Sequence, residues 1–130
     1  LMSEDRIEGY RNFANKIWNA ARFILQSCPD RTVVPVSKPG GTHLYNRWIL
    51  HELNETIRSV TEALDNYLFN EAAGTLYQFF WHRFCDWYLE LIKPILYRKR
   101  GEKVLEETQT TLFYVLDQSL RLLHPFMPFL

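Results

Sequence analysis

Seven side chains between Gly9 and Gln26 carry the chemistry needed to hold a nucleotide. At about 100° of rotation per residue in a helix, Asn12, Asn15, Lys16, Asn19, Arg22, Phe23 and Gln26 fall within an arc of about 120°. Arg11 lies beside them. Amides can read the edge of an unpaired base, cations can meet phosphates, and a ring offers a face for stacking. From Gly9 to Cys28 there are three cations, Arg11, Lys16 and Arg22, and no acid to repel a phosphate. The apolar side of the same helix is supplied by Tyr10, Phe13, Ala14, Ile17, Ala21 and Ile24, so Phe23 is not needed for a core-facing surface. By pattern alone the ring has an equal claim to pack against the loop that follows or against another helix.

The other reactive combinations are weaker. His51-Glu52-Leu53-Asn54-Glu55 has the opening of the zinc-protease HExxH pattern, but Glu55 stands where the second histidine belongs and no third ligand is evident. No glutamate is followed by a histidine three residues later, as a di-iron helix bundle requires. His82, Cys85 and Asp86 share one helix at spacings of three and four. They read best as an exposed His–Asp pair beside a buried thiol. There is no GxSxG, no P-loop and no GxGxxG, so no catalytic residue and no metal ligand is assigned.

With 130 residues, 47% of them hydrophobic and 15% aromatic, the chain can bury a core and is expected to form one domain over residues 1–130. No apolar run reaches membrane-spanning length, and LMSEDRIEG lacks the features of a signal peptide, which makes the cytoplasm the expected location. Cys28 and Cys85 are far apart with no CxxC, and both are expected as thiols. The formal charge is zero, which argues against a strongly cationic nucleic-acid binder. Charge is nonetheless segregated: Gly9 to Cys28 and Lys93 to Lys103 are basic, whereas Leu50 to Glu90 is acidic.

The elements that must position the stripe read as all-α, an antiparallel bundle of four main helices. The first starts near Ser3, an expected N-cap, with Glu4 and Asp5 in its first turn, and stops at Cys28-Pro29. A Pro- and Gly-rich loop follows to about Thr42. The second helix spans about Leu44 to Leu68, with Ile49, Leu53, Ile57, Val60 and Leu64 as its apolar stripe. Asn70 is placed to cap a third helix that runs to Lys93, with Leu76, Tyr77, Phe80, Phe84, Trp87 and Leu91 on one side. Pro94 kinks the chain, Gly101 is read as a stop, and a fourth helix covers Glu102 to Leu123 with Leu105, Leu112, Val115, Leu116, Leu120 and Leu123 buried.

The stretches GYRNFANKIWNAARF, NRWILHELNETIRSVTEALDNYLFNEAAGTLYQFFWHRFCDWYLELIKPIL and LLHPFMPFL resemble, in order and spacing, the C-terminal helical domain of the valyl-tRNA synthetases, which are class I aminoacyl-tRNA synthetases. HPFMPFL is similar to the start of HPFMPFITEELW in that family. The resemblance implies an anticodon-binding bundle whose first helix approaches the anticodon loop of tRNA(Val). It points to Lys16, Asn19, Arg22 and Phe23, and beyond them Asn12, Asn15 and Arg11, as RNA-binding residues. It also implies a parent enzyme that joins valine to its tRNA with ATP and magnesium in a catalytic domain carrying HIGH and KMSKS motifs. An editing domain, the catalytic domain and those cofactors are expected outside this chain, and membrane and DNA are not expected as partners. Family members often have Cys where Ala14 stands and Asp where Asn46 stands, read as matters of packing and of helix capping. A helical protein-interaction module with no RNA role is the competing reading.

Overall fold

The computed structural model describes residues 4–28, 39–40, 42–97 and 100–128. The expected cap Ser3, most of the loop after Cys28, and Arg98 and Lys99 of the basic turn lie outside the described residues. The architecture is all-α, with four long helical stretches and no strand among the described residues. In chain order these are α1 (Glu4–Ser27), α2 (Leu44–Asp65), a third stretch made of α3 (Phe69–Tyr77), a π-helical segment (Gln78–Tyr88) and α4 (Leu89–Leu91), then the short α5 (Lys93–Leu96) and finally α6 (Glu102–Leu123).

Phe13, Ile17, Ala20 and Ile24 recur at spacings of three and four, and they form the buried edge of α1. Tyr10, expected on that side, is 51% exposed. The α2 stripe is as expected, with Ile49, Leu53 and Val60 buried and Ile57 and Leu64 half-buried. The helix ends at Asp65, three residues before the expected Leu68. There Tyr67 adopts a left-handed conformation, φ 59°, and the amides of Tyr67 and Leu68 donate back to the carbonyls of Leu64 and Ala63 at 3.0 and 2.8 Å. That is the hydrogen-bond pattern of a helix closed by a left-handed residue, a position that usually holds glycine. α3 then begins directly at Phe69 with Leu68 as its cap residue. Asn70 therefore lies inside the helix and is not its cap.

The third stretch departs most from expectation. Its π-helical turns are wider than α-helical ones, so the rotational phase assumed for Trp87 is lost. Trp87 is 63% exposed, and Tyr88 is fully buried in its place. The rings of Phe80, Phe84 and Tyr88 follow one another through the interior at centroid distances of 5.4 and 5.9 Å. Phe13 meets Tyr77 and Phe80 edge-on at 5.0 and 6.1 Å, fastening α1 to this stretch.

Gly101 does not stop a helix; it is the cap residue of α6, at φ 102°. The expected bounds of α6 are met, but Leu120 is 37% exposed and the buried positions include Thr108, Thr111 and Ser119. Asn46, read as a capping residue, has another role. It is fully buried, its Nδ2 donates to Glu107 Oε2 at 2.6 Å and Thr108 Oγ1 at 3.0 Å, and its Oδ1 accepts from the Tyr88 hydroxyl at 2.6 Å. The cap of α2 is His43, whose Nδ1 accepts from the amide of Tyr45 at 3.3 Å. Glu107 also accepts from the amides of Thr42 and His43 at 2.9 and 3.0 Å, so one carboxylate joins α6 to the start of α2.

Candidate nucleic-acid interface

The second half of α1 runs beside the end of the π-helical segment and α4, and a hollow of about 210 Å³ opens between them. Lys16, Asn19 and Phe23 line it from α1, and Cys85, Leu89, Glu90 and Lys93 from the other side. The i, i+3, i+7 spacing of the three α1 residues puts them on one flank of the helix, next to the buried edge that holds α1 in place. Phe23 is half-buried: part of the ring packs on the core and part faces the hollow. Lys93 Nζ stands 5.7 Å from the centre of that ring.

The expected stripe is thus divided. Lys16, Asn19 and Phe23 are brought together, whereas Asn12 lines a different and larger hollow. Arg11, Asn15 and Arg22 are exposed on the helix surface and line neither.

The freedom from acids seen between Gly9 and Cys28 does not survive folding. Asp86 lies 3.5 Å from Lys16, and Glu90 accepts a hydrogen bond from Lys93 at 2.9 Å. Lys16 Nζ also sits 5.0 Å over the Trp81 ring, a cation–π contact. His82 Nδ1 is 3.0 Å from the other oxygen of Asp86, so the exposed His–Asp pair is as expected. The hydrogen bond to Glu90 keeps the Lys93 ammonium above its ordinary pKa. Burial pushes the Cys85 thiol up to about 12, against the pull of Lys16. The hollow therefore has two cations at its edges, each already facing a carboxylate, and a thiol that stays protonated on its wall.

Lys93 escaped the reading of the stripe because it approaches Phe23 only through tertiary packing. Its one local signal was membership of a basic run. The zinc-like pattern is otherwise employed: Glu52 pairs with Arg83 at 3.2 Å and Glu55 with Arg58. Among the described residues no group of three His, Cys, Asp or Glu side chains is placed to hold a metal ion, and no helix is long and apolar enough to cross a membrane. Cys28 and Cys85 are buried thiols not joined in a disulfide.

A family model described as the anticodon-binding domain of tRNA ligase matches residues 46–130. The chain is also similar over nearly all its length to valine–tRNA ligases. It is 52% identical over 134 residues to that of Geobacter sulfurreducens, covering 99% of this chain and 14% of the relative. For Nitratidesulfovibrio vulgaris the identity is 48% over 128 residues, covering 98% and 14%, and for Aquifex aeolicus 42% over 139 residues, covering 99% and 12%. These alignments take in α1, which the family model leaves out, and the chain spans only about a seventh of the length of such relatives. The chain belongs to the family of anticodon-binding domains of tRNA ligases.

Proposed function

We propose that residues 1–130 form the anticodon-recognition module of a valine–tRNA ligase and that the hollow beside Phe23 receives an unpaired base of the tRNA(Val) anticodon loop. The observation that carries this reading is the convergence of Lys16, Asn19 and Phe23, with Lys93, on one hollow of about 210 Å³. Pockets for drug-sized ligands run from about 300 to 1,000 Å³, so this one suits a single flat ring. A base would lie against the free part of Phe23, with the Asn19 amide at its edge. Lys16, Lys93 and the exposed Arg22 and Arg11 would meet backbone phosphates, and Asn12 and Asn15 would extend the contact along α1.

The parent enzyme would join valine to tRNA(Val) in the cytoplasm, using ATP and magnesium. In this reading the ATP- and magnesium-dependent chemistry belongs to the rest of the synthetase. The part played by this chain is affinity and selectivity for the anticodon stem-loop.

The test is a salt titration of the chain with a stem-loop bearing a valine anticodon. Binding is expected to weaken linearly in log–log form, with a slope of about 0.7 for each phosphate met on single-stranded RNA. Absence of binding at low salt, together with capture of a protein ligand at the Phe23 face, would favour the protein-interaction reading instead.

A further inference from the structure

We infer that the apolar groove between the first half of α1 and α3 is the docking surface for an apolar segment of the parent synthetase lying outside these 130 residues. The groove has a volume of about 470 Å³. Gly9 and Tyr10 stand on one wall, Gly74 and Tyr77 on the other, and Phe126 and Met127 border it from beyond the end of α6. It shares no lining residue with the Phe23 hollow.

The two glycines are the informative residues. Both lie inside helices, where glycine is less favourable than any residue except proline. A Cβ built on either would meet nothing within 4 Å, so no neighbour among the described residues requires a bare backbone at either place. Tyr10, on the same wall as Gly9, is 51% exposed. Missing side chains on facing walls, in a groove bordered by rings and methyl groups, are what a closely approaching apolar partner requires.

The occupant follows from length and position. The chain spans 12–14% of the length of its relatives, so most of such an enzyme lies outside these residues. Met127 borders the groove, so the chain beyond it leaves from the groove's rim. A segment of the same polypeptide thus reaches the groove at little cost in loop closure. RNA is the poorer occupant, since Arg6 is the one cation in the lining. This inference rests on the reading of the chain as part of a larger synthetase, though not on the role of Phe23.

The experiment uses the full-length parent with Tyr10→p-benzoyl-phenylalanine, irradiated, digested and mapped by mass spectrometry. The expected product joins residue 10 to a peptide of the same chain from outside these 130 residues, and adding Gly74→Leu abolishes it. In the 130-residue chain Gly74→Leu is expected to leave the unfolding temperature unchanged or raised, because a Cβ there meets nothing within 4 Å and leucine is the better helix former. Cross-linking only to tRNA, only to a second copy or not at all would overturn the inference, as would destabilisation of the 130-residue chain by Gly74→Leu. A parent that charges tRNA with valine but gives no such cross-link leaves the synthetase reading standing, whereas a parent that does not charge valine removes that reading itself.

Discussion

Lys93 Nζ lies 5.7 Å from the centre of the Phe23 ring while donating to Glu90 at 2.9 Å. The Phe23 ring of α1 is therefore already faced by a cation from α5. In the proposed reading a base stacking on that ring would displace the Lys93 ammonium, which would then meet a neighbouring phosphate. Lys93→Ala is expected to lower the salt slope of stem-loop binding by about 0.7 and to weaken binding most at low salt. Anisotropy titrations at several salt concentrations check this; an unchanged slope would place Lys93 away from the RNA.

Asp86 holds Lys16 at 3.5 Å and His82 at 3.0 Å, and it brings a negative charge to the neighbourhood of the hollow. Asp86→Asn removes that charge and releases Lys16. Binding of the stem-loop is expected to tighten severalfold at low ionic strength, with the gain fading as salt screens it. Weaker binding of the variant would mean that Asp86 positions Lys16 rather than competing with the phosphates.

Glu107 gives the fold a defined acid limit. Partial burial pushes its pKa up, but hydrogen bonds from Asn46, from the amide and hydroxyl of Thr42 and from the amide of His43 outweigh this and bring it from 4.5 down to about 2. The unfolded chain binds this proton more readily. The resulting stability is complete above pH 4.5 and is lost as the pH falls towards about 2. Glu107→Ala should cost about 1.5–3 kcal/mol at pH 7, the range for hydrogen bonds to a charged group. It should also flatten the dependence of the urea midpoint on pH between 4.5 and 2. An equally steep acid limb in the variant would assign that limb to other carboxylates.

Asn46 donates to Glu107 at 2.6 Å inside the bundle, so Asn46→Asp would set two carboxylates against each other. One must take up a proton, and a loss of about 3 kcal/mol at pH 7 is expected from the missing charge-assisted bond together with the repulsion. The loss should shrink as the pH is lowered, and Glu107→Gln should restore much of the stability of the double variant. Urea unfolding at pH 7 and pH 5 measures both effects. Equal midpoints for wild type and variant at pH 7 would rule out this network as a source of stability.

Much of the bundle was legible in the sequence because helices with one apolar edge announce themselves by spacing, as α1, α2 and α6 do. What was not legible depended on departures from a uniform turn. The π-helical segment moved Trp87 outward and Tyr88 inward, and Tyr67 closed α2 in a conformation that glycine normally signals. In the candidate site, the alignment of Lys16, Asn19 and Phe23 was readable as one flank of a helix. Lys93, Asp86 and Glu90 were not, since nothing local relates them to residues some seventy positions earlier. Asn46 was misread for the same reason: near a helix start it looked like a cap, whereas its partners lie in α6 and the π-helical segment.

The most direct measurement is fluorescence anisotropy of the chain with a valine anticodon stem-loop and with one carrying a different anticodon, for the wild type and for Phe23→Ala. Base–aromatic stacking is worth about 1–3 kcal/mol, so Phe23→Ala is expected to weaken binding of the valine loop by a factor between about 5 and about 150 and to erase most of the preference between loops. Equal binding of both loops by the wild type, untouched by the substitution, would contradict a base-receiving role for the hollow.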